Sequence, residues 1–369
     1  MAAYTTIDDP EAYFQTVTWT GNGTDGRTIT LPGDTNMQPD FIWVKNRTDG
    51  EDHCLMDSVR TFASGKAMRT NGGDEEGGVG TASRGWVEAT SDGFTCEDGS
   101  SNANLVNASS DTYVAWCWKA GTTSGIGTSG QDITPSGYSI NTTSKFGIYA
   151  YGGNGTDDQQ INHGLGVAPK FIIQKARSNA SQDWHVFHAR NTSAPETDYL
   201  YLNETNATTD RVESWSDQLP DTTDITLGTS NDGNQSGQTF IMYAWGEVQG
   251  FSKFGAYVGN GNVDGPFLYC GFQPAWCMIK RTDGAQPWEI FDNKRSTSGG
   301  FNEIDKSIAA DNNNAEDTST DYDDVDFVSN GVKIREDNDD INASGAKYIF
   351  VAFARAPFVN SNGVPCNAR

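Results

Sequence analysis

Apolar residues run through this chain in short bursts separated by polar turns, and one burst is written three times. It reads Pro39-Asp-Phe-Ile-Trp-Val-Lys45, Pro169-Lys-Phe-Ile-Ile-Gln-Lys175 and Pro274-Ala-Trp-Cys-Met-Ile-Lys280. Each copy closes on an aromatic run: Thr112-Tyr-Val-Ala-Trp-Cys-Trp118, Thr239-Phe-Ile-Met-Tyr-Ala-Trp245 and Lys347-Tyr-Ile-Phe-Val-Ala-Phe353. From opening proline to closing aromatic the distances are 118 − 39 = 79, 245 − 169 = 76 and 353 − 274 = 79 residues. Such a fixed period marks a tandem repeat of one structural unit.

Each copy begins with an alternating or apolar segment and a glycine turn. These are Tyr13 to Thr20 before Gly21-Asn-Gly23, Phe146 to Tyr151 before Gly153-Asn-Gly155, and Phe254 to Val258 before Gly259-Asn-Gly261. After the proline run comes a further short apolar stretch, ending at Asp57, His188 and Asp292, and an arginine follows nearby (Arg60, Arg190, Arg295). Gly93 to Cys96, Asp224 to Leu227 and Gly331 to Ile334 precede the closing run. Prolines suit strand entry, where a missing N–H is harmless. Closing runs apolar on both faces predict central, covered strands. The expected fold is all-β, three tandem antiparallel β-sandwiches of jelly-roll or lectin-like type, with little helix. Ser58 to Met68 and Asn302 to Ala310 come nearest to a helical pattern.

The expected organisation is a first sandwich with an N-terminal arm over 1–119, a Gly/Ser/Thr linker over 120–143, a second sandwich over 144–249, and a third with a C-terminal tail over 250–369. The short 246–252 connection predicts a rigid pair of second and third copies, with the first free to move.

Composition supports this picture: 41 glycines and 41 aromatics (10 Trp, 13 Tyr, 18 Phe) favour short strands and tight turns. A net charge of −24 repels phosphate, which argues against nucleic acid as a partner. Six cysteines without CxxC spacing read as reduced, buried thiols. The first ten residues lack a signal-peptide pattern, and no run reaches the roughly 20 apolar residues of a membrane helix, so synthesis in the cytoplasm without membrane insertion is expected.

Candidate chemistry is sparse. His185 and His188 are spaced as HxxH, but on a strand an odd separation throws them to opposite faces, so they read as structural. No nucleophile elbow or phosphate loop occurs. The acidic stretch 317–326 supplies candidate calcium ligands Asp321, Asp323, Asp324 and Asp326, although the EF-hand pattern is missing. No cofactor is expected. The lysines and arginines shared among copies read as charges at exposed strand ends. Loop aromatics Trp86, Tyr138, Trp215 and Tyr322 are the candidate glycan contacts, since a ring can stack on a sugar face.

Pro39-Asp-Phe-Ile-Trp-Val-Lys-Asn-Arg47, Asp57-Ser-Val-Arg60, Ser91-Asp-Gly-Phe94 and Tyr113-Val-Ala-Trp-Cys-Trp-Lys-Ala-Gly121 together resemble a repeat domain of virion structural and tail-fibre-like proteins from marine tailed bacteriophages. The resemblance is closest in the first copy and spans nearly the whole chain. It implies a non-enzymatic virion protein of the tail or tail fibre, serving assembly and host-surface attachment. The expected partners are other virion proteins, further copies in a trimer or symmetric ring, and, from the loop aromatics, a host surface glycan. A capsid decoration or cement protein and a carbohydrate-active depolymerase are the alternatives.

Overall fold

The computed structural model describes residues 3–78, 81–99, 103–296, 302–317 and 325–366. It is nearly all β, built of antiparallel sheets of which none closes into a barrel. The first unit holds β1 (Phe14–Thr20), β2 (Arg27–Thr30), β3 (Phe41–Asn46), β4 (Cys54–Asp57), β5 (Trp86–Thr90), β6 (Gly93–Glu97) and β7 (Thr112–Trp118). The second holds β8 (Gly137–Asn141), β9 (Phe146–Gly152), β10 (Gln159–Asn162), β11 (Pro169–Ala176), β12 (His185–His188), β13 (Asp198–Tyr201), β14 (Thr209–Asp210), β15 (Asp224–Leu227) and β16 (Thr239–Gly246). The third holds β17 (Ser252–Val258), β18 (Phe267–Tyr269), β19 (Phe272–Arg281), β20 (Trp288–Asp292), β21 (Glu303–Ile304), β22 (Ile308–Ala309), β23 (Val325–Val328), β24 (Gly331–Ile334) and β25 (Lys347–Pro357).

Each unit has a large sheet of one design, with the closing strand between the first strand and the proline strand. The orders are β1-β7-β3-β4, β8-β9-β16-β11-β12-β13-β14 and β17-β25-β19-β20-β22. A smaller sheet lies beside each: β2-β6-β5, β10-β15 and β18-β24-β23-β21. Ser58 to Met68 and Asn302 to Ala310 form no helix; the second instead carries β21 and β22. The α-helices among the described residues are single turns at Thr81–Arg84 and Asn231–Asn234.

Why the central strands are apolar on both faces follows from their two neighbours. Ile42 and Val44 of β3, with Tyr113, Ala115 and Cys117 of β7, face Ile29, Phe94 and Val87 of the small sheet. Their alternates Phe41, Trp43, Trp116 and Trp118 point the other way, into a core shared by all three units. The second unit repeats the division: Ile172, Met242 and Ala244 face inward, while Phe171, Ile173, Tyr243 and Trp245 enter the shared core. A period of two thus serves two cores at once.

Glycine turns end the first strands. Gly23, Gly155 and Gly261 have φ of 67°, 71° and 61°, a region open to glycine at no steric cost. Buried Asn107, Asn234 and Asn342 pin these turns, each accepting from the N–H of the turn asparagine through its side chain and from the second glycine through its main chain. Asn107 and Asn342, which stand in sequons, are therefore core residues.

Segment 120–143 is not a loose linker. It carries β8, which extends the large sheet of the second unit, and it buries Ile126 and Ile133 against that unit. Nor is the first unit detached from a rigid pair, because it contacts both others through the shared core.

Candidate functional site

The strand termini of the three large sheets meet in three corresponding sets of contacts. Arg47, Arg177 and Thr282 each stand eight residues after an opening proline. Their carbonyls accept from the main-chain N–H of Glu316, Glu76 and Thr208 at 3.0, 2.9 and 2.9 Å, so the third unit donates to the first, the first to the second and the second to the third. A second set joins ring N–H groups to carbonyls of the neighbouring unit: Trp184 Nε1 to Arg69 O at 2.8 Å, Trp288 Nε1 to Tyr201 O at 2.8 Å, and His53 Nε2 to Ala309 O at 3.1 Å. His53 carries its proton on Nε2, since Nδ1 accepts from Trp43 Nε1 at 2.8 Å. The third set ends strands β4, β12 and β20: Asp57 accepts from Tyr243, Asp292 from Trp116 Nε1 at 2.9 Å, and His188 Nε2 donates to Phe350 O at 3.2 Å. Three units thus close into a ring within one chain.

Aromatic rings fill the middle. Phe41 meets Tyr243 with centroids 4.6 Å apart, and Trp118 meets Trp276 at 5.7 Å and Phe353 at 5.4 Å. Burying each such ring contributes about 2–3 kcal/mol.

Charges expected at exposed strand ends are buried here instead. Arg60 and Arg295 are wholly enclosed, each bonded through Nε to the carboxylate three residues before it at 2.5 Å. Burial opposes the charge of Arg60, but Asp57, Tyr243 and Glu76 outweigh it and raise its pKa. Glu76 and Glu316 extend these pairs across the ring, to Arg177 at 2.6 Å and Arg47 at 2.8 Å. The second unit has Asn191 at the matching place, accepting from Thr208 Oγ1 at 2.6 Å, so this contact is neutral. Arg190, counted with the shared arginines from the sequence, is exposed. Lys45, Lys175 and Lys280 are buried, and burial lowers each pKa to about 8 against the pull of nearby acids. Lys175 donates to Gly73 O at 3.1 Å and Lys280 to Thr205 O at 2.7 Å, each in the preceding unit.

Asp57, Asp292, Lys175 and Lys280 accordingly help to hold the ring together. His185 and His188 do face opposite ways: His185 stacks on Trp215 inside the second sandwich, while His188 reaches the third unit. Five cysteines are buried, Cys366 is exposed, and all six are free thiols. Among the described residues no group of three or more His, Cys, Asp or Glu could hold a metal ion. A cleft of about 570 Å³ in the third unit contains Glu289, Glu316, Asp317 and Asp340. Glu316 there is committed to Arg47 and Arg295.

The sequence-derived contact residues scatter. Trp215 lies in the core of the second sandwich, its Nε1 bonded to Asp198 O at 3.1 Å, so it cannot meet a sugar. Tyr138, on β8, is half-buried and accepts from Ile126 N–H. Trp86, half-buried on β5, packs against the first sandwich core and bonds Glu88. Tyr322, Asp321, Asp323 and Asp324 lie outside the described residues. Asp326 is paired with Arg335 at 2.6 Å. Sequence reading missed Phe267 and Tyr269, which look like core positions of a short strand and prove exposed. Aligning β18 with β2 on their partner glycines would have found them, because the first unit has threonines there.

No curated protein and no solved structure matches the chain. One family model, described as a domain of unknown function, DUF7483, matches residues 9–357 and so takes in all three units. The chain belongs to the DUF7483 family.

Proposed function

We propose that this protein is a non-enzymatic structural and attachment component of a tailed-phage particle, in the tail or its fibres. The observation that carries this reading is the closed ring. Of the polar residues that recur from unit to unit, Asp57 and Asp292 with their arginines, together with Lys175 and Lys280, are engaged in joining units, and among the described residues no recurring acid, base or nucleophile set is left facing solvent. The resemblance of the repeated elements to virion structural repeats supplies the particle. One chain already joins three similar units in a ring, so a single copy suits a threefold position, where a trimer or symmetric ring of the chain was the expectation from sequence.

Immunogold labelling of particles purified from cells that make the protein tests the proposal. Label on the tail is the expected result. Label confined to the head assigns the protein to capsid decoration, and its absence from particles overturns the virion role. Release of reducing ends from a bacterial surface polysaccharide by the purified chain overturns the non-enzymatic reading.

A further inference from the structure

The outer face of the small sheet in the third unit carries two aromatic side chains that the fold does not require. Phe267 and Tyr269 stand two apart on β18 and are 46% and 56% exposed, with Leu268 buried between them. They therefore share the face turned away from the sandwich core. In the β18–β24 pairing Tyr269 lies opposite Gly331, Leu268 opposite Val332 and Phe267 opposite Lys333. The β2–β6 pairing matches it: Thr30 opposite Gly93, Ile29 opposite Phe94 and Thr28 opposite Thr95. In the second unit Ile161 pairs with Ile225, which puts Gln160 and Asn162 at these places. Nature builds this strand twice with polar residues, so the two rings answer to something outside the fold.

Their surroundings identify it. Phe267 lies over Gly331, where an added Cβ would sit 2.9 Å from the ring. Next to it Lys333 pairs across the sheet with Asp326, so ring, ammonium and carboxylate form one row. Lys333 is held by Asp264 at 2.7 Å, and Asp326 by Arg335. An apolar ring face beside fixed donors and acceptors fits a pyranose, which has an apolar C–H face and a polar rim. The two rings sit about 6.6 Å apart along the strand, close enough for one oligosaccharide to touch both. Their free area, about 200 Å² from the size of aromatic side chains, falls well below the roughly 800 Å² per partner of a stable protein interface. The adjoining carboxylates disfavour a phosphate backbone.

We infer that the β18–β24 face is a carbohydrate platform on which Phe267 and Tyr269 stack neighbouring sugars of a bacterial surface polysaccharide. This rests on the attachment role proposed above for the source of the glycan, while the binding itself is measurable on the isolated chain.

The test compares the full-length protein with F267T/Y269T, which installs the first unit's residues. Both are applied to an array of bacterial surface polysaccharides and titrated calorimetrically with laminarihexaose and cellohexaose. Thermal unfolding reads the fold, and particle incorporation reads the structural role. Wild-type binding to at least one probe, weakened about 10- to 100-fold in the variant with unfolding and incorporation unchanged, is the expected result. Equal binding by both proteins, or no wild-type binding to any probe, overturns the platform and leaves the virion role standing. Lost incorporation with sugar binding intact makes the rings a protein contact and also overturns it. If the double variant unfolds early, Tyr269→Thr alone carries the comparison, because the bonded contact of that side chain is a 3.5 Å approach to the Tyr4 hydroxyl. Absence of the protein from particles sinks the virion role without touching the sugar measurement.

Discussion

The Tyr243 hydroxyl donates to Asp57 Oδ2 at 2.7 Å across the contact of the second and first units, and the same carboxylate oxygen holds Arg60 at 2.5 Å. All three side chains are buried. A buried ion pair is costly to break from one side, because the remaining charge is stranded.

Tyr243→Phe is expected to cost about 1.5–3 kcal/mol, the range for a hydrogen bond to a charged group. Asp57→Ala should cost more, about 3–5 kcal/mol, by leaving Arg60 uncompensated. Urea unfolding of the single and double variants gives the coupling, and strictly additive losses would show that the two residues act independently.

Ring closure makes the units interdependent. The whole chain should unfold in one calorimetric transition, and a chain lacking residues 1–119 should bind a hydrophobic dye, because Tyr243, Trp245, Trp276 and Phe353 lose the aromatic partners Phe41 and Trp118. Separate transitions, or a soluble truncated chain that binds no dye, would contradict this.

Mild acid should weaken the fold. Burial lowers the pKa of His53 and His185 to about 3 and that of His188 to about 4. Below the unfolded value near 6.5 the unfolded chain binds more protons than the folded one, so stability falls with pH by about 1.4 kcal/mol per unit for each histidine. Urea midpoints at pH 7, 6 and 5 measure the slope. His188→Gln, whose amide can serve both Phe350 O and the Arg190 N–H, should reduce it by roughly one histidine's share.

The buried lysines act in the alkaline range. Each binds a proton up to about pH 10.4 when unfolded but only to about 8 when folded. Between these values the unfolded chain holds more protons, so the lysines contribute stability that grows as pH rises. Buried Cys117 and Tyr243, pushed up by burial, oppose this, so the effect is read as a difference. Relative to Lys175→Met, wild type should gain up to about 1.4 kcal/mol per pH unit between pH 8 and 10. A constant difference across that range would mean that Lys175 keeps an ordinary pKa.

Much of the architecture was legible along the chain. The proline runs became β3, β11 and β19, the closing runs became central strands, and the Gly-Asn-Gly turns took the positive φ that glycine permits. The site was far less legible. Trp215 looked like a loop ring and is a core residue, whereas Phe267 and Tyr269 looked like core and are exposed. A short apolar strand reads the same whether its second face meets protein or water.

What the sequence determined by itself is local: where strands begin and end, which positions alternate, and which turns need glycine, all set by backbone sterics and by a side-chain period of two. It also required that the central strands be covered on both faces. What covers them was decided only by the tertiary structure, which set Phe41 of one unit against Tyr243 of the next and drew Lys175 and Arg60 inside to join units. Burial of a charge depends on partners far away in the chain, such as Gly73 for Lys175 and Tyr243 for Arg60, and a local pattern carries no record of that distance.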